Sequence, residues 1–235
     1  EGLWHPGGNA VKKNGDIEIT KNNSSVIIRP LYPQTLAPSD FVHDYPEMYY
    51  WDVKQGPTED LKGTEVYYSI KLPGKHDRVK SVTAIILKDT PSQKEVPSIE
   101  KIEGKDWIGL HINDHGNNYT IYINQLADGR TMHMHSWIYP EGWETDAYLL
   151  VLGDNDTLIC YGSSLRKDGV TQFSSLSKLN VLTHANDSKL DVKVEGQPRI
   201  NMKLKVDKRP TDLLVNGKKH DISYDNKQIS IKQNR

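Results

Sequence analysis

The sequence predicts an all-β protein, an antiparallel β-sandwich followed by a small C-terminal β-sheet subdomain. Three observations lead there. Apolar residues recur with a period of two, which marks strands with one dry and one wet face. Asn-Gly, Asp-Gly and related turn pairs separate these runs at short intervals. No stretch carries the apolar periodicity of a three-turn amphipathic helix, the best short candidate being Phe173–Leu179.

Taken in order, the first clear turn is Lys13-Asn14-Gly15-Asp16, whose Asn-Gly pair tolerates the positive φ of a tight hairpin. Val66, Tyr68, Ile70 and Leu72 alternate with Tyr67, Ser69 and Lys71, and Leu72-Pro73-Gly74 ends that run. Val82–Leu87 and Tyr148–Leu152 are continuous apolar runs, expected of strands covered on both faces. His115-Gly116-Asn117, Ala127-Asp128-Gly129, Gly153-Asp154-Asn155 and Lys167-Asp168-Gly169 punctuate the middle of the chain. Leu190, Val192 and Val194 then alternate with Asp191, Lys193 and Glu195, and Ile200, Met202, Leu204 and Val206 with Asn201, Lys203, Lys205 and Asp207. A hairpin closes the chain, from Asp212–Val215 through Asn216-Gly217 to Ile222–Ile231.

The 235 residues suffice for one large domain or two small ones. A shift in charge sets a boundary near Asn186. Residues 186–235 hold twelve Lys and Arg against seven Asp and Glu, whereas the rest of the chain holds 18 against 24. The reading is a sandwich over 1–185 with a small basic sheet over 186–235, or else one sandwich whose last strands are basic. The overall net charge of -1 argues against a strongly basic nucleic-acid binder. No apolar run reaches the 18 or so residues of a membrane span. The single cysteine, Cys160, excludes an intrachain disulfide and a Cys-based zinc site. It lies in the apolar run Thr-Leu-Ile-Cys-Tyr, which fits a structural thiol better than a nucleophile.

Histidines offer the one metal-like pattern. His133 and His135 are two apart, so on a strand they share a face and can approach one ion. His111, Asp114 and His115 form a second group, at what reads as a strand end and its turn. No spacing dictates the remaining ligands, and half-exposed histidines on a wet face are the plainer reading of both. The chain has no Gly-x-Ser-x-Gly elbow, no phosphate-binding glycine loop and no carboxylate pair assignable to glycoside hydrolysis.

The aromatics are lopsided: twelve Tyr and five Trp against two Phe. They gather at Tyr45, Tyr49, Tyr50 and Trp51 and again at Trp137, Tyr139 and Trp143, with Trp4 beside His5 near the start. Flat rings with a polar handle stack on the C–H faces of sugars while neighbouring Asn, Asp and His bond the hydroxyls. Trp4, His5, Tyr49, Tyr50, Trp51, Trp137, Tyr139 and Trp143 are therefore candidate carbohydrate contacts, and core packing is the alternative for each. In the basic tail, Lys203, Lys205, Lys208 and Arg209 are candidates for long-range attraction of an anionic polymer, with a merely solvated strand as the alternative.

The order of segments from Val26 to Gly153 resembles the later β-sandwich of heparinase II/III-like polysaccharide lyases. The matching pieces are Val-Ile-Ile-Arg-Pro-Leu-Tyr-Pro (Val26–Pro33), Phe-Val-His-Asp-Tyr-Pro (Phe41–Pro46), Lys62–Leu72, Val82–Leu87 and Trp-Ile-Gly-Leu (Trp107–Leu110). The resemblance implies an exported bacterial protein, periplasmic or extracellular, of a family that cuts acidic, glycosaminoglycan-like polysaccharides by β-elimination. It also implies an N-terminal helical toroid, which these residues do not include. The early sandwich segment with the family's metal-binding His and Asp is not recognisable either. No catalytic residue is therefore carried across, and any divalent metal is assigned to the intact parent protein. The expected partners are an acidic polysaccharide and the parent's helical domain, with no nucleic acid and no membrane span. An independent carbohydrate-binding or adhesion sandwich is the competing reading.

Overall fold

The computed structural model describes residues 2–3, 9–21, 23–33, 38–45, 63–70, 80–89, 95–127, 136–196 and 199–234. Among them the chain is all β, without a helix. No helix is long and apolar enough to cross a membrane among the described residues. Two compact units divide between Val96 and Pro97. The segment past Asn186, marked by its charge, lies within the second unit.

The first unit holds two sheets. One joins β1 (Gly2–Leu3), β6 (Gly63–Ile70) and β5 (Pro38–Tyr45) in that order. The other runs β2 (Asn9–Lys13), β3 (Asp16–Lys21), β4 (Ser24–Tyr32), β7 (Val82–Lys88). Ile17 pairs with Ile28 and Ile19 with Val26, so one face of the second sheet is apolar and forms a small core around Ile17 and Ile28. The opposite face is mixed: Ile27 and Ile86 pair and are buried there, beside Arg29, which donates to Asp16 at 2.7 Å, and Lys88, which donates to Glu18 at 2.9 Å. The run Val82–Leu87 departs from the sequence expectation. Ile85 and Leu87 are 66% and 74% exposed, while Ile86 is buried. Register sets Ile85 opposite Ile28 and Leu87 opposite Val26, on the face of Ile17, so the cover over that face does not reach β7 among the described residues.

The second unit is one large sheet. It begins β8 (Ser98–Gly104), β9 (Trp107–Asp114), β10 (Asn117–Asn124), β12 (Leu149–Gly153), β13 (Asp156–Lys167) and β14 (Val170–Ala185). The short β11 (Trp143–Thr145) pairs with β13. Beyond β14 the sheet forks. The second half of β14 pairs with β15 (Lys189–Glu195), which takes β17 (Asp212–Val215) in parallel, followed by β18 (Lys218–Lys219). The first half pairs with β16 (Arg199–Lys205), then β20 (Gln228–Asn234) and β19 (Ser223–Asp225).

The fork is a bulged corner. Between Ile159–Val181 and Gly162–Leu179, β13 advances three residues and β14 two; between Gly162–Leu179 and Ser164–Ser174, β13 advances two and β14 five. The extra β14 residues bow out, and Leu176 on the bow is 84% exposed. A strand that changes neighbours at a bulge is the ordinary means of folding one sheet over itself. This replaces the short helix considered at Phe173–Leu179. The apolar spacing of Phe173, Leu176 and Leu179 comes from a bulge, with Phe173 and Leu179 buried to either side. The fold closes over one core that includes Leu150, Ile159, Phe173, Val192, Met202 and Ile229. Alternation in β15 and β16 is as the sequence predicts: Leu190, Val192, Val194, Ile200, Met202 and Leu204 are all buried. No residue from Tyr148 to Leu152 is exposed, in keeping with a strand covered on both faces.

Candidate functional site

Of the candidate contacts, Trp4, His5, Tyr49, Tyr50 and Trp51 lie outside the described residues, as do His133 and His135 of the metal-like pattern. Trp137, Tyr139 and Trp143 fall within them and lead to the best-formed site of the second unit.

The segment carrying them is anchored from beneath. Asn124, fully buried at the end of β10, donates to the carbonyls of Ser136 at 2.6 Å and Ala147 at 3.1 Å and accepts the N–H groups of Leu126 and Ala127. Ile138 then pairs with Thr145 through both backbone bonds, at 3.0 and 3.1 Å, and turns its side chain into the core. Trp137 and Tyr139, on the alternate positions, face the other way; Trp137 is half-buried and Tyr139 is 66% exposed. Trp143 packs against the core, and the Lys167 ammonium sits 5.0 Å from its ring centroid. The aromatic cluster is thus divided by backbone alternation into a core plate and an exposed ring.

The turn between them is Pro140-Glu141-Gly142-Trp143, closed by the Trp143 N–H to the Pro140 carbonyl at 2.8 Å. Glu141 has φ 47° and Gly142 φ 80°. Positive φ is ordinary for glycine but costs a glutamate conformational energy. The side chain of Glu141 is held at both oxygens. It accepts the Tyr122 hydroxyl at 2.5 Å on Oε2, and Oε1 lies 3.6 Å from His111 Nε2. Its backbone carbonyl accepts from Lys167 at 2.7 Å.

Strand register brings the partners to Glu141. His111 on β9 lies opposite Thr120 on β10, and Gly109 opposite Tyr122, so His111 and Tyr122 share one face. His111 Nδ1 meets Thr120 Oγ1 at 3.1 Å. Tyr122 is only 2% exposed and stacks edge-on against Trp107, centroids 5.5 Å apart. Burial, then the hydrogen bond to Glu141, pushes its phenol above the usual tyrosine range. Tyr122 is thereby a donor that fixes Glu141, while His111 and Glu141 remain partly open to solvent. The arrangement brings an imidazole, a carboxylate and the Lys167 ammonium together at Glu141, with the exposed Tyr139 two residues before it in the chain.

The second histidine group separates. His115 stands in the β9–β10 turn at φ 51° and pairs with Asp114 at 2.7 Å, while His111 is occupied by Thr120 and Glu141. No three His, Cys, Asp or Glu side chains converge to hold a metal among the described residues. Cys160 is half-buried on β13, and burial pushes its thiol up. No protein-family model matches the chain, and no curated protein matches its sequence.

Proposed function

We propose that this chain is the C-terminal β-sandwich portion of an exported polysaccharide lyase acting on acidic polysaccharide by β-elimination, and that it supports and lines the substrate cleft instead of supplying the complete catalytic set. The observation that carries the reading is the rim at Tyr139, His111, Glu141 and Lys167. His111 and Lys167 meet at Glu141, and the exposed ring of Tyr139 lies two residues before it in the chain; imidazole, carboxylate and ammonium together suit a sugar with hydroxyls and a carboxylate. The segment order adds support, since the stretches that resemble the lyase sandwich are strands here: β4, β5, β6, β7 and β9.

β-Elimination at a uronate needs a base at C5, an acid at the leaving oxygen and a group that neutralises the carboxylate. Lys167 is of the right charge for the last. The phenol of Tyr122 is committed to Glu141 and pushed upward in pKa, which suits a support and not a base. The test is to incubate the chain with polygalacturonate and with heparin and follow the ultraviolet absorbance of unsaturated product. Binding of the reaction's oligosaccharides is then measured by titration calorimetry. No turnover is expected from the chain alone, and Tyr139→Ala weakens oligosaccharide binding by about tenfold, the worth of one aromatic contact. Sustained turnover by the isolated chain, or binding indifferent to both Tyr139→Ala and His111→Ala, would falsify the reading.

A further inference from the structure

The outward positions of β16 and β20 form a strip of positive charge that nothing in the rim explains. Along β16 the buried residues are Ile200, Met202 and Leu204, so Arg199, Asn201, Lys203 and Lys205 point the other way. The register sets Lys203 opposite Ser230, Lys205 opposite Gln228 and Asn201 opposite Lys232. Arg199 and Lys203 are each two residues from Asn201 on one strand, which makes them diagonal neighbours of Lys232 on the other, roughly 7–8 Å away. Along β16, Lys203 and Lys205 are about 7 Å apart, the length of two extended residues, and Arg199 and Lys203 about twice that. Neither strand carries a carboxylate on this face; Asp225, one strand further on β19, lies opposite Gln228.

Position in the sheet separates this strip from edge protection. Lysines are common on outer strands, where they prevent edge-to-edge pairing. But β16 is bonded to β20 along its length and to β14 at Met202–Leu204, and β20 is bonded to β19 at Gln228–Ser230, so Lys203 is interior to the sheet, while Arg199 and Lys232 lie beyond the doubly paired stretch. Like charges placed together without a counter-charge cost stability. The strip holds four of them on a surface whose remaining groups are Asn201, Gln228, Ser230 and Ser174, all able to bond hydroxyls.

We infer that the outward face of β16 and β20 is a binding strip for a linear anionic polysaccharide, with Arg199, Lys203, Lys205 and Lys232 meeting its acidic groups. The inference rests on the proposed substrate class, and adds a second contact surface to it. The tyrosine of this region, Tyr224 on β19, packs towards the core, and among the described residues of β16, β19 and β20 the strip has no ring on which a nucleobase can stack. That disfavours a single-stranded nucleic acid, while an acidic polysaccharide can meet the strip through its charges and hydroxyls alone. Lys208 and Arg209, singled out by the sequence, stand after β16 in the connection to β17; Arg199 and Lys232 take their place on the strip.

The experiment uses the full chain and its Lys203→Gln/Lys205→Gln/Lys232→Gln variant. All three lysines alternate with the buried residues of their strands, so changes to neutral Gln leave the core side chains in place, which thermal unfolding checks. Affinities for heparin, polygalacturonate, uncharged dextran and a single-stranded oligothymidylate are measured over a salt series. Expected are binding to the two acidic polymers, none to dextran, and weaker binding of the oligonucleotide. The variant loses at least about fivefold in affinity for the acidic polymers, and its salt dependence falls by about one per lysine removed. Equal affinity of variant and parent for both acidic polymers overturns the strip, as does an oligonucleotide bound as tightly as heparin. If Tyr139→Ala weakens oligosaccharide binding while the lysine variant changes nothing, the strip fails and the rim stands; the reverse outcome removes the rim and leaves the strip.

Discussion

Asp146 shows how one buried residue holds the corner of the large sheet. Its Oδ1 accepts the N–H groups of Ser163 and Ser164 at 2.8 and 2.9 Å, and its Oδ2 accepts the Ser163 hydroxyl at 2.6 Å and the Lys178 ammonium at 3.0 Å. Lys178 comes from the bowed part of β14 and the serines from β13, so the carboxylate ties the two strands where their register slips. Burial by itself would raise the Asp146 pKa, but the hydrogen bonds from Ser163 and the charge and hydrogen bond of Lys178 outweigh it and hold the carboxyl below the ordinary range. A depressed folded-state value contributes stability above the unfolded aspartate pKa of about 3.9, and that contribution is lost as pH falls through the folded value. Asp146→Ala is expected to cost about 3 kcal/mol at neutral pH in denaturant unfolding, and to lose part of the acid sensitivity of the parent below pH about 4. An Ala variant as stable as the parent, with an unchanged acid limb, would remove this role. The candidate site is legible in part at this same scale. The sequence marks Trp137, Tyr139, Trp143 and His111, because aromatic clustering and histidine are local facts. It gives no sign of Glu141 or Tyr122, whose meeting with His111 depends on the register of β9 with β10 and on the anchor at Asn124.

At the scale of elements, the two-residue hairpins were the most legible feature. Asn14-Gly15, His115-Gly116, Asp168-Gly169 and Asn216-Gly217 all adopt positive φ at both central positions. That requirement is met by the residues of the turn themselves, so it survives any tertiary arrangement. Bulges are the opposite case. Tyr161, at φ 51°, and the bowed segment of β14 have no local signature, since an unpaired residue is defined only against its partner strand. This is why Phe173–Leu179 has the spacing of a helix face and is nonetheless strand. The corner also demands a close approach at Gly162. A Cβ there would stand 2.7 Å from the Ile159 side chain and 2.9 Å from the Ala147 Cβ. Gly162→Ala should therefore destabilise by about 2 kcal/mol through overpacking. Leu176→Ser, on the exposed bow, should change stability by less than about 0.5 kcal/mol. Unfolding midpoints that rank the two variants the other way would contradict the corner as described.

On the scale of the molecule, the change of charge at Asn186 is a change of surface and not of core. Basic residues past Asn186, such as Lys193 and Lys203, occupy outward positions of β15 and β16 between residues that are buried. The core they back onto is shared. Of the twenty buried residues in the cluster of the second unit, ten lie past Asn186, from Leu190 to Ile231, and ten before it, from Trp107 to Val181. Burying one such side chain is worth about 1.5–3 kcal/mol, so removing the ten past Asn186 strips apolar cover from the ten that remain. Strand pairing agrees, because β14 is bonded to β15 at one end and to β16 at the other, and loss of both leaves it paired with β13 alone among the described strands. A chain ending at Asn186 is expected to lose cooperative unfolding in its second unit, to bind hydrophobic dyes and to aggregate. The same cut in a sandwich with an independent basic subdomain would leave a sharp transition near that of the parent. Circular dichroism and dye binding of the truncated chain decide between the two, and a native-like thermal transition in it would show that residues 186–235 are a subdomain in their own right.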